Sequence, residues 1–189
     1  LDQNNNNHTS NIGTKWVTNT GSGSGWNRNF QATQLMMAAA EAYFLLAEAS
    51  LNGWNTGGSA KDFYEQGIRT AMESWGITGA EVEAYIQSTA TPIAPNDLQN
   101  SPAMTDIPVK WGDTEAVQRE QIGTQKWLAM YPDGQEAWAE FRRTGFPKLY
   151  PVVNSVNSEI PTTSRPRRIP FLEQLEYQNN SAAMEQAVQ

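Results

Sequence analysis

The sequence predicts an all-α fold with long irregular loops. Apolar residues recur at three- and four-residue spacing in segments bounded by capping residues, Gly or Pro. Those segments form two helical hairpins on either side of a proline-rich crossing. Strand character is confined to Leu149–Val153 and Ile169–Leu172, which are short and isolated.

Residues 1–30 read as a polar Gly/Asn/Ser-rich loop or linker, running through Thr18-Asn-Thr-Gly-Ser-Gly-Ser-Gly25, with Trp16 and Trp26 set unusually inside it. The first helix is expected over Thr33–Leu51. Its residues are apolar on nearly every side, with Glu41, Glu48 and Ser50 as polar exceptions, so burial between neighbours is expected. Asn52-Gly53 supplies a stop. Ser59 then caps a second helix with Asp62 three residues on, and Phe63, Tyr64, Gly67, Ile68, Ala71, Met72 and Trp75 recur at helical spacing up to Gly76. The small–aromatic–small spacing Ala60, Tyr64, Gly67 is like the second helix of a tetratricopeptide unit. Thr78-Gly-Ala-Glu81 repeats the capping pattern and opens a short helix to about Thr89.

Pro92, Pro95, Pro102 and Pro108 make residues 91–112 a non-helical crossing. A long helix follows from Asp113 to about Met130, ended by Pro132. Asp133 caps the next, which carries Ala137, Trp138 and Phe141 and ends at Gly145. Residues 147–170 are proline-rich and irregular, and a short helix over Ser181–Val188 closes the chain.

The 189 residues suffice for one domain or half of a larger one, and 39% are hydrophobic against only 17% charged. A net charge of −7 opposes binding to nucleic acid or an anionic membrane, both of which need a Lys/Arg surplus. With no cysteine, a disulfide framework, a thiolate zinc site and a cysteine nucleophile are excluded. No apolar run reaches the roughly 20 residues a bilayer demands.

Few constellations offer chemistry. His8 is the single histidine and lies in the Asn-rich start, which leaves neither a triad nor a histidine metal site; no metal, cofactor or catalytic residue is assigned. Glu41 and Glu48 share a helix face, and Glu136 and Glu140 lie one turn apart, so either pair could flank a sugar as an acid/base couple. The favoured reading is ion pairing: Glu136 and Glu140 with Arg142, Arg143 or Lys148, and Glu41 and Glu48 with basic or amide partners on a neighbouring helix. The Gly-rich stretch Thr56–Lys61 lacks the phosphate-loop pattern and reads as loop closure. Phe141-Arg-Arg-Thr-Gly145 and Arg165-Pro-Arg-Arg168 gather five of the thirteen basic residues, for recognition of an anion or, as favoured in an acidic chain, for internal stitching.

The chain is rich in tryptophan, with seven. Trp75, Trp127 and Trp138 lie on apolar helix faces and read as core. Trp16, Trp26, Trp54 and Trp111 sit in loops among Gly, Asn, Thr or Lys, where a flat ring beside amides suits a sugar; each could equally clamp its own loop.

Ala40-Glu-Ala-Tyr-Phe-Leu-Leu-Ala-Glu-Ala49 with the following Gly53-Trp54 resembles the signature helix of SusD/RagB-type outer-membrane lipoproteins. So does Gln125-Lys-Trp-Leu-Ala-Met-Tyr-Pro-Asp-Gly134 running into Glu136-Ala-Trp-Ala-Glu-Phe-Arg-Arg-Thr-Gly145. Arg167-Arg-Ile-Pro170, with Glu176 and Asn179-Asn180 after it, matches the family's ending in kind and order. The resemblance implies tetratricopeptide-like helix pairs with irregular inserts, and makes residues 31–189 the C-terminal helical domain of a SusD-like protein whose N-terminal half is absent here. It implies a surface-exposed protein of the Bacteroidetes outer membrane, lipid-anchored through an N-terminal Cys outside this chain. Such proteins cap a SusC-like TonB-dependent porin and hand it oligosaccharides, or sometimes peptides, without catalysis. Under it Glu41, Tyr43, Trp127, Trp138, Arg142 and Arg143 hold the helices together. The competing readings are a helical-repeat module that binds only protein and an all-α carbohydrate-active enzyme using a Glu pair.

Overall fold

The computed structural model describes residues 36–97, 99–152 and 178–188, and they form helices with no strand among them. The chain divides into two compact units, one up to Lys148 and one from Leu149. The first holds α1 (Ala39–Leu51), α2 (Ala60–Glu73), α3 (Ala80–Ile86), α4 (Glu115–Ala129) and α5 (Gly134–Thr144).

α1 starts later than its composition predicts. Met36, Met37 and Ala38 lie outside the helix, and Ala38 is extended with no side-chain cap. Met and Ala favour helix, but Met36 and Met37 are exposed and an added turn there would bury nothing. Helices in proteins are stabilised chiefly by packing of a face, so the turn does not form. The expectation of all-round burial also fails. One face is buried, through Ala40, Glu41, Phe44 and Ala47, against α2 and α4, while Leu45 on another side is exposed.

The C-terminus of α1 obeys its sequence signal. Gly53 takes φ 77°, its N–H donates to the Ser50 carbonyl, and the Trp54 N–H donates to the Ala49 carbonyl, a Schellman closure. The loop beyond is fixed by the Ser50 hydroxyl, which bonds the Thr56 hydroxyl and the Gly58 carbonyl. Ser59 caps α2 as expected: its Oγ accepts from the Asp62 N–H at 3.1 Å and donates to Asp62 Oδ2 at 2.6 Å. At Gly67 the two helices come so close that a Cβ would lie 2.8 Å from the Phe44 ring.

α3 is shorter than predicted, and the Thr78 capping pattern is not used. Gly79 (φ 67°) is the N-cap and no side chain caps the helix. Val82 and Ile86 are its buried residues, and the bidentate pair from Arg69 to Glu83 (2.7 and 3.0 Å) ties it to α2. α4 and α5 form the second hairpin. Thr114 caps α4 through the Val117 N–H, and Asp133 caps α5 through the N–H groups of Gln135 and Glu136. Gly145, left-handed at φ 78°, closes α5. The core is contiguous: Phe44, Tyr64, Ile68, Val82, Ile86 and Ile122 meet in it.

In the second unit, α6 (Gln178–Val188) is non-helical at Asn180, whose side chain accepts from the Ala183 N–H. Its regular part is therefore the Ser181–Val188 helix expected from sequence. Leu149–Val152 forms no strand, and Ile169–Leu172 lies outside the described residues.

Candidate functional site

The irregular crossing between α3 and α4 is held by one buried amide. Gln121 Nε2 donates to the carbonyls of Pro108 (2.9 Å) and Lys110 (2.8 Å), and its Oε1 accepts from the Gly112 N–H (3.0 Å). The Tyr64 hydroxyl donates to the Val109 carbonyl at 2.7 Å. Its burial pushes the phenol well above the ordinary range, so it stays a neutral donor. Glu120 accepts from the Thr105 hydroxyl and pairs with Lys148 at 2.7 Å.

A chain of charges joins α1 to the second hairpin. Glu41 pairs with Lys126 at 3.4 Å and Lys126 with Glu140 at 2.8 Å. Arg143 bonds Glu140 at 2.8 Å and grips Glu48 with both guanidinium arms, each at 2.6 Å. Lys126 and Glu140 are each only 3% exposed. The seven-residue spacing of Glu41 and Glu48 does place both toward one neighbouring hairpin. The Arg143 hydrogen bonds hold the Glu48 carboxyl below its ordinary value and raise the Arg143 guanidinium, against opposing desolvation in both. Every carboxylate of this chain of charges is committed to a cation, which is a clamp and not an acid/base couple. Glu136 is exposed and does not join these pairs.

Of the family-signature residues, Glu41 and Arg143 belong to the clamp. Arg142 instead lies over the Trp138 ring, 4.6 Å from its centroid, and Tyr43 and Trp127 are partly buried. Trp75 departs from the core role predicted for it. It is 43% exposed and packs on Tyr131 with ring centroids 6.0 Å apart, because α2 ends at Glu73 and the turn to Gly76 carries it off the buried face.

The loop tryptophans separate sharply. Trp54 is 70% exposed on the backbone fixed by the Schellman closure, and beside it the Asn52 side chain accepts from Arg119 at 2.8 Å. Trp111 packs on Tyr64, centroids 4.9 Å apart, with that face of its ring committed to the core. Trp16, Trp26, His8 and Arg165–Arg168 lie outside the described residues.

Sequence reasoning missed Lys126 and Gln121. The signal was available for the first: Ile122 and Lys126 on α4 and Met130 at its C-cap recur every four residues and all are buried, so a cation stood in an apolar stripe. It also missed an open cleft of about 280 Å³, lined by Met36, Met37, Ala38, Glu41, Met130, Asp133 and Glu136. Among the described residues no group of three or more His, Asp or Glu side chains could hold a metal, and no helix is long and apolar enough to cross a membrane.

The helix pairs, the pinned insert and the charged clamp define a tetratricopeptide-like all-α chain. The chain belongs to the SusD-like family, described as Susd and RagB outer membrane lipoprotein, which matches residues 3–189. It is similar to a SusD homologue from Bacteroides thetaiotaomicron, with a TM-score of 0.71 and 39% identity over 86% of this chain and 35% of that one. A chitin-binding SusD homologue from Flavobacterium johnsoniae matches with a TM-score of 0.69 and 40% identity, over 80% of this chain and 33% of that one. A Bacteroides ovatus homologue matches with a TM-score of 0.69 and 41% identity, over 79% and 32%. The chain thus spans about a third of the length of these solved relatives. No curated protein matches it.

Proposed function

We propose that this chain is the C-terminal helical domain, over residues 31–189, of a surface nutrient-binding protein that takes oligosaccharide for a TonB-dependent uptake system. The protein is lipid-anchored at the outer membrane, partners a SusC-like porin and performs no catalysis. Residues 1–30 serve as a connecting segment.

The observation that carries this reading is the family match over residues 3–189, in a family with a chitin-binding homologue at 40% identity. Trp54 supports the ligand class. A flat ring held on a fixed turn offers an apolar face to a pyranose, and the Asn52 amide and Asn55 beside it suit hydroxyls. Trp16 and Trp26 are the further ligand contacts in this reading, and Trp111 acts through the fold, by holding the insert on Tyr64.

Titrating the full-length protein against a panel of glycans and peptides tests it. Saturable binding of a glycan class, weakened by Trp54→Ala, supports it. Uniform absence of glycan binding by a folded protein would sink the oligosaccharide assignment and leave the protein-interaction module as the surviving alternative.

A further inference from the structure

The turn that carries Trp54 also carries an exposed amide whose orientation is fixed. Asn52 Oδ1 accepts from Arg119 Nη2 at 2.8 Å, across 67 residues of chain. Arg119 is itself held, because its Nε donates to Glu115 Oε1 at 2.8 Å and its Nη2 lies 2.7 Å from the same oxygen. Swapping the two ends of the Asn52 amide would set N–H groups against a guanidinium, which has donors and no acceptor. The oxygen therefore faces α4, and the Nδ2 amino group is the end left for a ligand. Asn55, which follows Trp54, is exposed and no hydrogen bond fixes it among the described residues, so its amide turns to donate or accept as a partner requires.

Both amides can meet a sugar hydroxyl, but at Asn52 the hydroxyl is at a disadvantage. A hydroxyl that accepts from Nδ2 still has its own proton to place. The backbone acceptors of this turn are engaged. The Ala49 and Ser50 carbonyls take the N–H groups of Trp54 and Gly53, and the Gly58 carbonyl takes the hydroxyls of Ser50 and Thr56. A carbonyl or carboxylate oxygen brings no proton to place. It accepts from Nδ2 outright, and a carboxylate does so in a charge-assisted bond. The exposed Trp54 ring supplies the apolar face on which the rest of the pyranose packs.

We infer that Asn52 is the specificity-determining donor of the Trp54 subsite, with Arg119 as its positioning residue, and that the stacked sugar presents an acetamido carbonyl or a carboxylate to it; this rests on the function proposed above. Arg119 acts through Asn52, by keeping the amide from turning over.

The test titrates the full-length protein with oligosaccharides of glucose, of N-acetylglucosamine and of galacturonic acid, and follows thermal unfolding of each variant. Wild type is expected to bind one of the two substituted series about tenfold tighter than the glucose series, and which one it prefers identifies the acceptor. Asn52→Asp keeps the size of the side chain and turns the Arg119 contact into an ion pair, so thermal unfolding should be unchanged. Its outward donor becomes an acceptor, and the preference should be lost. Arg119→Ala frees the amide and should narrow the preference without weakening the glucose series. Equal weakening of every probe in Arg119→Ala makes that residue structural and overturns its positioning role. A wild type that prefers glucose, or an Asn52→Asp protein that keeps the wild-type preference, overturns the subsite and leaves the glycan reading standing, which Trp54→Ala tests separately. Binding of none of the three by a folded wild type overturns the subsite, and the same failure across a wider glycan panel overturns the oligosaccharide assignment with it.

Discussion

Arg143 and Glu48, 95 residues apart in the chain, meet through two parallel hydrogen bonds of 2.6 Å that fasten α5 to α1. Behind this half-exposed fork lies the buried pair Lys126–Glu140, so the clamp is wet at one end and dry at the other. The two ends should respond differently to mutation. Arg143→Ala removes a partly exposed pair and is expected to cost about 1–2 kcal/mol, more than the median surface pair because its fork is bidentate. Lys126→Met removes the cation between two buried carboxylates, leaving Glu140 with Arg143 alone and Glu41 without its Lys126 partner, and should cost about 3–5 kcal/mol. Urea unfolding of both variants checks the order; equal losses would mean that burial does not set the strength of this clamp.

The same fork makes stability depend on acid. Arg143 holds the Glu48 carboxyl below its ordinary value of 4.5 in the folded protein. A depressed folded value means that the unfolded state binds the proton more readily, so the stabilisation is fully present above the unfolded value. It is lost as pH falls through the folded value. Denaturant titrations between pH 7 and pH 3 should show Glu48→Gln less stable than wild type at neutral pH. The two should converge toward pH 3, and parallel curves would remove Glu48 from the acid response.

Gln121→Leu tests what holds the insert. The substitution leaves the Pro108 and Lys110 carbonyls and the Gly112 N–H without their side-chain partner. Unsatisfied buried groups cost about 1–3 kcal/mol each, and some of these will find water, so a total loss of about 2–4 kcal/mol is expected. Amide exchange should accelerate first in residues 105–112. Protection unchanged there would show that Tyr64 and Glu120 hold the crossing by themselves.

Local punctuation was legible in the sequence: Ser59 and Asp133 as caps and Gly53 and Gly145 as stops all act within a few residues of themselves. The ion-pairing reading of Glu41, Glu48 and Glu140 was legible too, because such carboxylates on packed helices need cations. What could not be read was which cation served which acid. Lys126 reaches both Glu41 and Glu140, and that choice depends on how one hairpin lies on the other. Trp75 failed for a related reason. Helical periodicity continues past Glu73 in the sequence, but the backbone turns at Ser74–Gly76 and the ring leaves the face its spacing predicts.

Gly67→Ala sets two known effects against each other. Replacing a mid-helix Gly by Ala ordinarily stabilises by about 1 kcal/mol. Here the new methyl would sit 2.8 Å from two carbons of the Phe44 ring, and Phe44 is fully buried with no room to retreat. Overpacking costs about 1–3 kcal/mol, so a net loss is expected. The double variant with Phe44→Leu should lose less than the sum of the two single changes, since the smaller side chain makes room for the methyl. Strict additivity would show that the ring is not what excludes a side chain at Gly67.

Trp54 and Trp111 separate ligand contact from structure. Trp54 is exposed on a turn closed by backbone hydrogen bonds, so Trp54→Ala should leave the unfolding midpoint within about 0.5 kcal/mol of wild type. If the ring stacks a sugar, the same change should weaken glycan binding about tenfold, or about 1.4 kcal/mol. Trp111 packs on Tyr64, whose hydroxyl holds the Val109 carbonyl, so Trp111→Ala should cost about 2–4 kcal/mol of stability. Its effect on ligand should then follow the fraction folded. Calorimetric titration beside thermal unfolding distinguishes the two: a Trp54 variant that loses stability but keeps its ligand would make that ring a structural clamp and shift the ligand face to other loops.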